Sequence, residues 1–209
     1  MFPSGTQAWN CSGAYINGTG ADDPYLYGTN SANRIRGRGG SDSIRARGGR
    51  DCVWGNARGD YIWGQGGRDK LRGGGANDRI WGGSSSDSLW GNAGSDIMHG
   101  EGGADRLYGR TGDDRLDGGS GRDHLRGNAG ADIITGGPGS DTIHGGPGVD
   151  LIYAIDGEVD TINCGGGGNR YRAAPTLAPG GFDRRCHCQQ RRRCEEEEQK
   201  APPRSTSDT

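Results

Sequence analysis

Aspartate recurs at every ninth position for more than half of the chain, at Asp42, Asp51, Asp60, Asp69, Asp78, Asp87, Asp96, Asp105, Asp114, Asp123, Asp132, Asp141 and Asp150. Thirteen carboxylates in one phase exceed anything composition produces. If units two apart stack as neighbouring strands do, each carboxylate lies about 5 Å from the next, and each pair repels by somewhat under ~1 kcal/mol in water, more when desolvated. A hard cation between them removes that repulsion. Calcium takes six to eight oxygen ligands, and glycine-rich loops can turn backbone carbonyls inward to add to the carboxylates.

Such carboxylates need elements that hold them in line. Two places after each Asp stands one large apolar residue, from Ile44, Val53 and Ile62 through Met98 to Ile143 and Ile152. A polar-apolar-polar triplet suits a very short strand with one buried side. The six residues before it, such as Gly118 to Asp123, are glycine-rich because the loop must reverse through positive φ. Two loop-strand units make one turn of a flattened coil of 18 residues, so units 18 apart stack in parallel. The fold class expected is all-β, a parallel β-roll, or β-solenoid, with two short-stranded parallel sheets back to back. About seven turns give a rod roughly 30 Å long.

The unit reads G-(G/N)-x-G-x-D-x-U-x, with U apolar, and it resembles the calcium-binding repeats of RTX, or hemolysin-type, proteins over about residues 33–163. The resemblance implies a right-handed roll in which each ion sits between two stacked loops and takes Asp and carbonyl oxygens from both. Carried over, one edge uses the loops ending at Asp42, Asp60, Asp78, Asp96, Asp114, Asp132 and Asp150, and the other those ending at Asp51, Asp69, Asp87, Asp105, Asp123 and Asp141. Seven loops leave six gaps and six leave five, so eleven calcium ions is the ceiling. Glycine stands two places before the Asp in ten of the thirteen units. Arg58, Ala76 and Ser85 replace it in the others, where weaker or empty sites are expected. The strict GGxGxD form occurs at Gly118, Gly119 and Gly121, at Gly136, Gly137 and Gly139, and at Gly145, Gly146 and Gly148, which favours the C-terminal half.

Only 29% of the 209 residues are hydrophobic and 45 are Gly, a composition that without a repeat argues for disorder. Folding is therefore expected to be coupled to calcium, disordered at the micromolar concentrations inside cells and ordered at the millimolar concentrations outside. Formal net charge is −2, and six calcium ions would carry it to about +10. Neither a secretory leader nor a membrane span is visible near Met1. The resemblance implies export by a route with an uncleaved C-terminal signal, and a truncated or misassigned start stands beside it. An extracellular or cell-surface location follows from the calcium argument.

Three segments are expected: a degenerate N-terminal cap over 1–32, the calcium-binding roll over 33–163, and a disordered tail over 164–209. In the cap, Tyr25-Leu26-Tyr27-Gly28 has the strand pattern, with Pro24 where Asp would stand and Asn33 at the next Asp position. After Ile152 the register slips by one, and Asp160 and Ile162 resume it. The tail carries a run from Glu195 to Glu198 and no apolar period. Cys11 lies outside the register, open between a disulfide and a thiol. Cys186, His187, Cys188 and Cys194 have a spacing foreign to common zinc modules, which favours thiols or, after export, a disulfide such as one involving Cys164.

The slot after U holds Trp54, Trp63, Trp81, Trp90, Tyr108 and Tyr153 in some units and Arg36, Arg45, Arg72 and Arg126 in others. Arg–aromatic stacking along the rod explains this row, and carbohydrate, polyanion or protein contact is the alternative. The RGG tripeptides, as at 38–40 read with its Arg, fall inside the nine-residue register, so no nucleic-acid partner is expected. No H-E-x-x-H, G-x-S-x-G or Walker loop is present, and His99, His124 and His144 sit in strand slots, so no catalysis is expected. The sequence leaves the oligomeric state open.

Overall fold

The computed structural model describes residues 11–154, 156, 158–168 and 170–173. Cys186, His187, Cys188 and Cys194, with the tail beyond 173, lie outside these residues.

Eighteen strands form and no helix does among the described residues. In chain order the first six are β1 (Ala14–Asn17), β2 (Leu26–Tyr27), β3 (Asn33–Arg38), β4 (Ser43–Arg45), β5 (Cys52–Asn56) and β6 (Tyr61–Gly66). The middle six are β7 (Lys70–Gly75), β8 (Arg79–Ser84), β9 (Ser88–Ala93), β10 (Ile97–Gly102), β11 (Arg106–Thr111) and β12 (Arg115–Asp117). The last six are β13 (His124–Ala129), β14 (Ile133–Thr135), β15 (Thr142–His144), β16 (Leu151–Ala154), β17 (Thr161–Asn163) and β18 (Arg170–Ala173). Odd strands make one nine-stranded sheet and even strands the other. Every pairing is parallel and joins residues 18 apart through the repeat, as Leu107 with Leu125 and Met98 with Leu116.

The chain is thus a parallel β-roll. Each sheet alone would have a bare apolar face, and the two faces cover one another. Ile35, Ile44, Val53, Ile62, Leu71, Ile80, Leu89, Met98, Leu107, Leu116, Leu125, Ile134, Ile143 and Ile152 are fully buried as one continuous core. One apolar side chain per nine residues is a thin core, and a backbone ladder between rungs must supply much of the rest.

The rod is longer than the roughly 30 Å expected. Nine strands per sheet at the usual spacing span roughly 40 Å. The lead-in contributes β1 and β2, β17 keeps pairing after the one-residue slip, and β18 extends the stack past the boundary set at 163. Strands are also longer than triplets. β7 runs six residues, since stacked loops go on pairing before they turn.

Each loop turns through two left-handed positions, four and two places before the Asp. At Gly121, φ is +136° and a Cβ would strike the Gly103 carbonyl one rung below, so only glycine fits without displacement. Arg58, Ala76 and Ser85 also take a positive φ at this place, 70°, 71° and 87°. The three departures therefore keep the loop's shape, and what they introduce is backbone strain.

Candidate metal centre

All thirteen register aspartates are buried, with at most 2% of their surface exposed. Their burial follows from the loop: the left-handed turns swing the Asp side chain under the reversing backbone, between its own rung and the one before. There Oδ1 accepts a hydrogen bond from the backbone N–H of the Asp 18 residues earlier. Asp42 N–H donates to Asp60 Oδ1 at 2.8 Å, Asp51 to Asp69 at 2.8 Å, and Asp123 to Asp141 at 2.8 Å. The series starts at Asp23, whose N–H donates to Asp42, and ends where Asp141 donates to Asp160.

The second oxygen is treated differently. From Asp42 to Asp141, Oδ2 is buried and has no hydrogen-bond partner among the described residues. A buried, unsatisfied carboxylate oxygen is costly, and its regular repetition marks a purpose. Beside Oδ2, in every register loop but that of Asp51, lies the glycine five places before the Asp. A Cβ added at Gly118 would fall 2.5 Å from Asp123 Oδ2 and 2.5 Å from the carbonyl oxygen of Gly136, one rung on. The same two kinds of oxygen crowd Gly37, Gly55, Gly64, Gly82, Gly100, Gly109 and Gly145 at under 3.0 Å. Carboxylate and carbonyl thus converge on a space that exists because glycine has no side chain.

Without a cation these buried carboxyls bind protons more tightly than exposed ones do. Burial pushes them up from 3.8, to about 6 at Asp51, Asp96 and Asp132 and to about 7 at Asp60, Asp69, Asp105, Asp114 and Asp141. It takes Asp78 and Asp87 to about 8. The N–H bond to Oδ1 opposes the shift and is the smaller effect. Asp42, Asp123 and Asp150 are raised for the same reason.

A hard, oxygen-seeking cation fits this set. No cluster of three or more His, Cys, Asp and Glu occurs among the described residues, so backbone carbonyls must complete any coordination, as they do for calcium. The family model of the RTX calcium-binding nonapeptide repeat matches in four copies, at residues 27–62, 54–89, 90–125 and 117–152. The chain belongs to this family. None of the curated proteins matches it.

RTX repeats bind calcium, and this roll stacks their Asp-bearing loops from Asp42 to Asp150. Asp123 Oδ2 and the Gly136 carbonyl would hold an ion between two rungs, and its charge would replace the protons on the buried carboxylates. In the three strict loops, Gly118, Gly136 and Gly145 line the space beside Oδ2. Gly119, Gly137 and Gly146 make the first left-handed turn, with φ of 89°, 94° and 119°, and Gly121, Gly139 and Gly148 the second. The loops of Asp60, Asp78 and Asp87 bury the same carboxylate in the same ladder, although the second glycine is replaced.

Three features were missed by reading the repeat alone. Pro24 does not hold the Asp position of the lead-in; Asp23 does, because the rung step there is 19 residues and not 18. Cys11 bonds to Cys52, the residue after Asp51. Ala46 occupies the place five before Asp51 where every other register loop has glycine. Comparing that column, rather than the one two places before the Asp, would have shown it. Cys164 is buried in the core.

Proposed function

We propose that this RTX chain is a non-catalytic structural or interaction module that works outside the cell and folds when calcium fills its loops. The observation that carries this reading is the line of buried Oδ2 atoms from Asp42 to Asp141 that no hydrogen bond satisfies. Ion-binding free energy becomes folding free energy when the site exists only in the folded chain. The Cys11–Cys52 bond supports an oxidising compartment, where calcium is also abundant. The test is far-UV circular dichroism of the whole chain during a calcium titration, with magnesium as the control. A cooperative gain of β signal with calcium alone is expected. A β signal that chelator leaves unchanged would show that packing suffices without the ion.

A second reading, contact with an anionic polysaccharide, is favoured by the outer face of the odd-strand sheet. Its outward slots carry Arg34, Arg36, Lys70, Arg72, Arg106 and Arg126, and no Asp or Glu from β1 to β17. Sugar stacking on the aromatic rings is less favoured, because the rings cover one another. Trp63 lies between Arg45 at 5.0 Å and Trp81 at 5.0 Å, and Trp81 continues to His99. Arg36 likewise lies over Trp54 at 5.3 Å. Retention of the calcium-loaded chain on a polyuronate matrix, weakened by salt and by Arg36→Ala with Arg126→Ala, tests this reading; retention unaffected by either removes it.

A further inference from the structure

The N-terminal end of the roll departs from the rest at every point where an ion would bind. In the Asp23 loop, Oδ2 accepts the Thr19 N–H at 2.7 Å and the Thr19 hydroxyl at 3.2 Å. In the next loop a neutral amide, Asn33, stands in the Asp position, and its Oδ1 accepts the Thr29 N–H at 2.7 Å. These are the oxygens that lie unsatisfied from Asp42 onward. Both loops close on themselves: the Asp23 oxygen is already satisfied by donors, and Asn33 brings no charge for a cation to neutralise.

The Asp51 loop is blocked by another means. Ala46 N–H donates to the Trp63 carbonyl at 2.8 Å, as Gly28 N–H donates to Arg45 and Gly118 N–H to Thr135, so its backbone takes the course of the glycines in that column. A Cβ in that column points toward the Asp Oδ2 in the other twelve register loops, and in eight of them toward a backbone carbonyl as well. Ala46 is fully buried and belongs to the apolar core. The next residue after Asp51 is Cys52, joined to Cys11, a bridge spanning 41 residues. Tying so long a segment removes conformations from the unfolded chain, which favours the folded end.

We propose that these residues form a calcium-free cap: Thr19 and Thr29 close the Asp23 and Asn33 loops, the Ala46 methyl excludes the ion beside Asp51, and the Cys11–Cys52 disulfide fastens the end that calcium does not. The inference rests on the calcium reading above. The ion ladder then starts at Asp42 on one edge and at Asp69 on the other, which lowers the ceiling from eleven ions by one. The cap gives the metal-dependent rungs a covalently held surface on which to stack.

The test counts calcium per chain by equilibrium dialysis on the full, oxidised protein. Asp51→Asn should leave the count unchanged and Asp123→Asn should lower it by at least one. Ala46→Gly, which opens the pocket, should raise it by one, and the reciprocal Gly118→Ala should lower it. Equal losses in Asp51→Asn and Asp123→Asn overturn the cap, as does an unchanged count in Ala46→Gly. If Asp123→Asn also leaves the count unchanged, the calcium reading fails and takes the cap with it. Reduction of the disulfide should raise the calcium concentration at half-folding several-fold at a constant count; a changed count would overturn its assignment as a replacement for an ion.

Discussion

Eleven residues with side chains hold positive φ in this roll, eight of them four places before an Asp and three, Arg58, Ala76 and Ser85, two places before one. A left-handed conformation costs an ordinary residue about 1–2 kcal/mol, and glycine avoids most of that while losing about 0.5–1 kcal/mol in backbone entropy. Ala76→Gly is therefore expected to stabilise the calcium-loaded roll by about 0.5–1 kcal/mol, read from the urea midpoint at saturating calcium. A lower midpoint would mean that the Ala76 methyl makes contacts worth more than the strain. The thirteen aspartates and the apolar column were legible because their period is strict. Ala46 was not, because a methyl differs from glycine only by filling a space, and the importance of that space appears once Asp123 Oδ2 and the Gly136 carbonyl are seen to meet there.

The strands carry their outer side chains in ladders as regular as the inner ones. On the even-strand sheet Tyr61, Trp63, Trp81 and His99 stack with interplanar angles of 20° or less, and His99 Nδ1 lies 3.5 Å from Asp117 Oδ2 on the next strand. Trp81 has a ring on each side, and each aromatic pair contributes about 0.5–1.5 kcal/mol beyond its burial. Trp81→Ala is thus expected to cost about 1–3 kcal/mol, measured by urea denaturation with calcium held saturating. No change would mean that the ladder is incidental to stability. The alternation that places U inward and its neighbours outward could be read from the sequence. The lengths of the strands could not, since β7 and β12 differ by three residues through loop pairing and not through any change in the repeat. Nor could the 19-residue steps at Asp23 and Asp160, where an extra loop residue shifts the chain without disturbing the rungs.

For the molecule as a whole, the buried carboxyls link stability to pH. Their folded values of about 6 to 8 lie above the unfolded value of 3.8, so the metal-free roll keeps protons that the unfolded chain releases. Its stability is greatest below about pH 4 and is lost as pH rises through the folded values. Acidifying the chelated protein from pH 8 to pH 4 is expected to raise its far-UV β signal. A chelated chain equally unstructured at both pH values would contradict the burial of these groups.

The bond from each Asp N–H to the carboxylate of the following rung always points the same way along the rod. This gives the roll a polarity like that of a filament whose two ends grow differently. Cutting it from the C-terminal side strips acceptors and leaves one freed Asp amide donor on each edge, whereas cutting from the N-terminal side leaves a carboxylate on each edge that has lost its donor. Two fragments could therefore join head to tail, but two like ends would meet donor to donor or charge to charge.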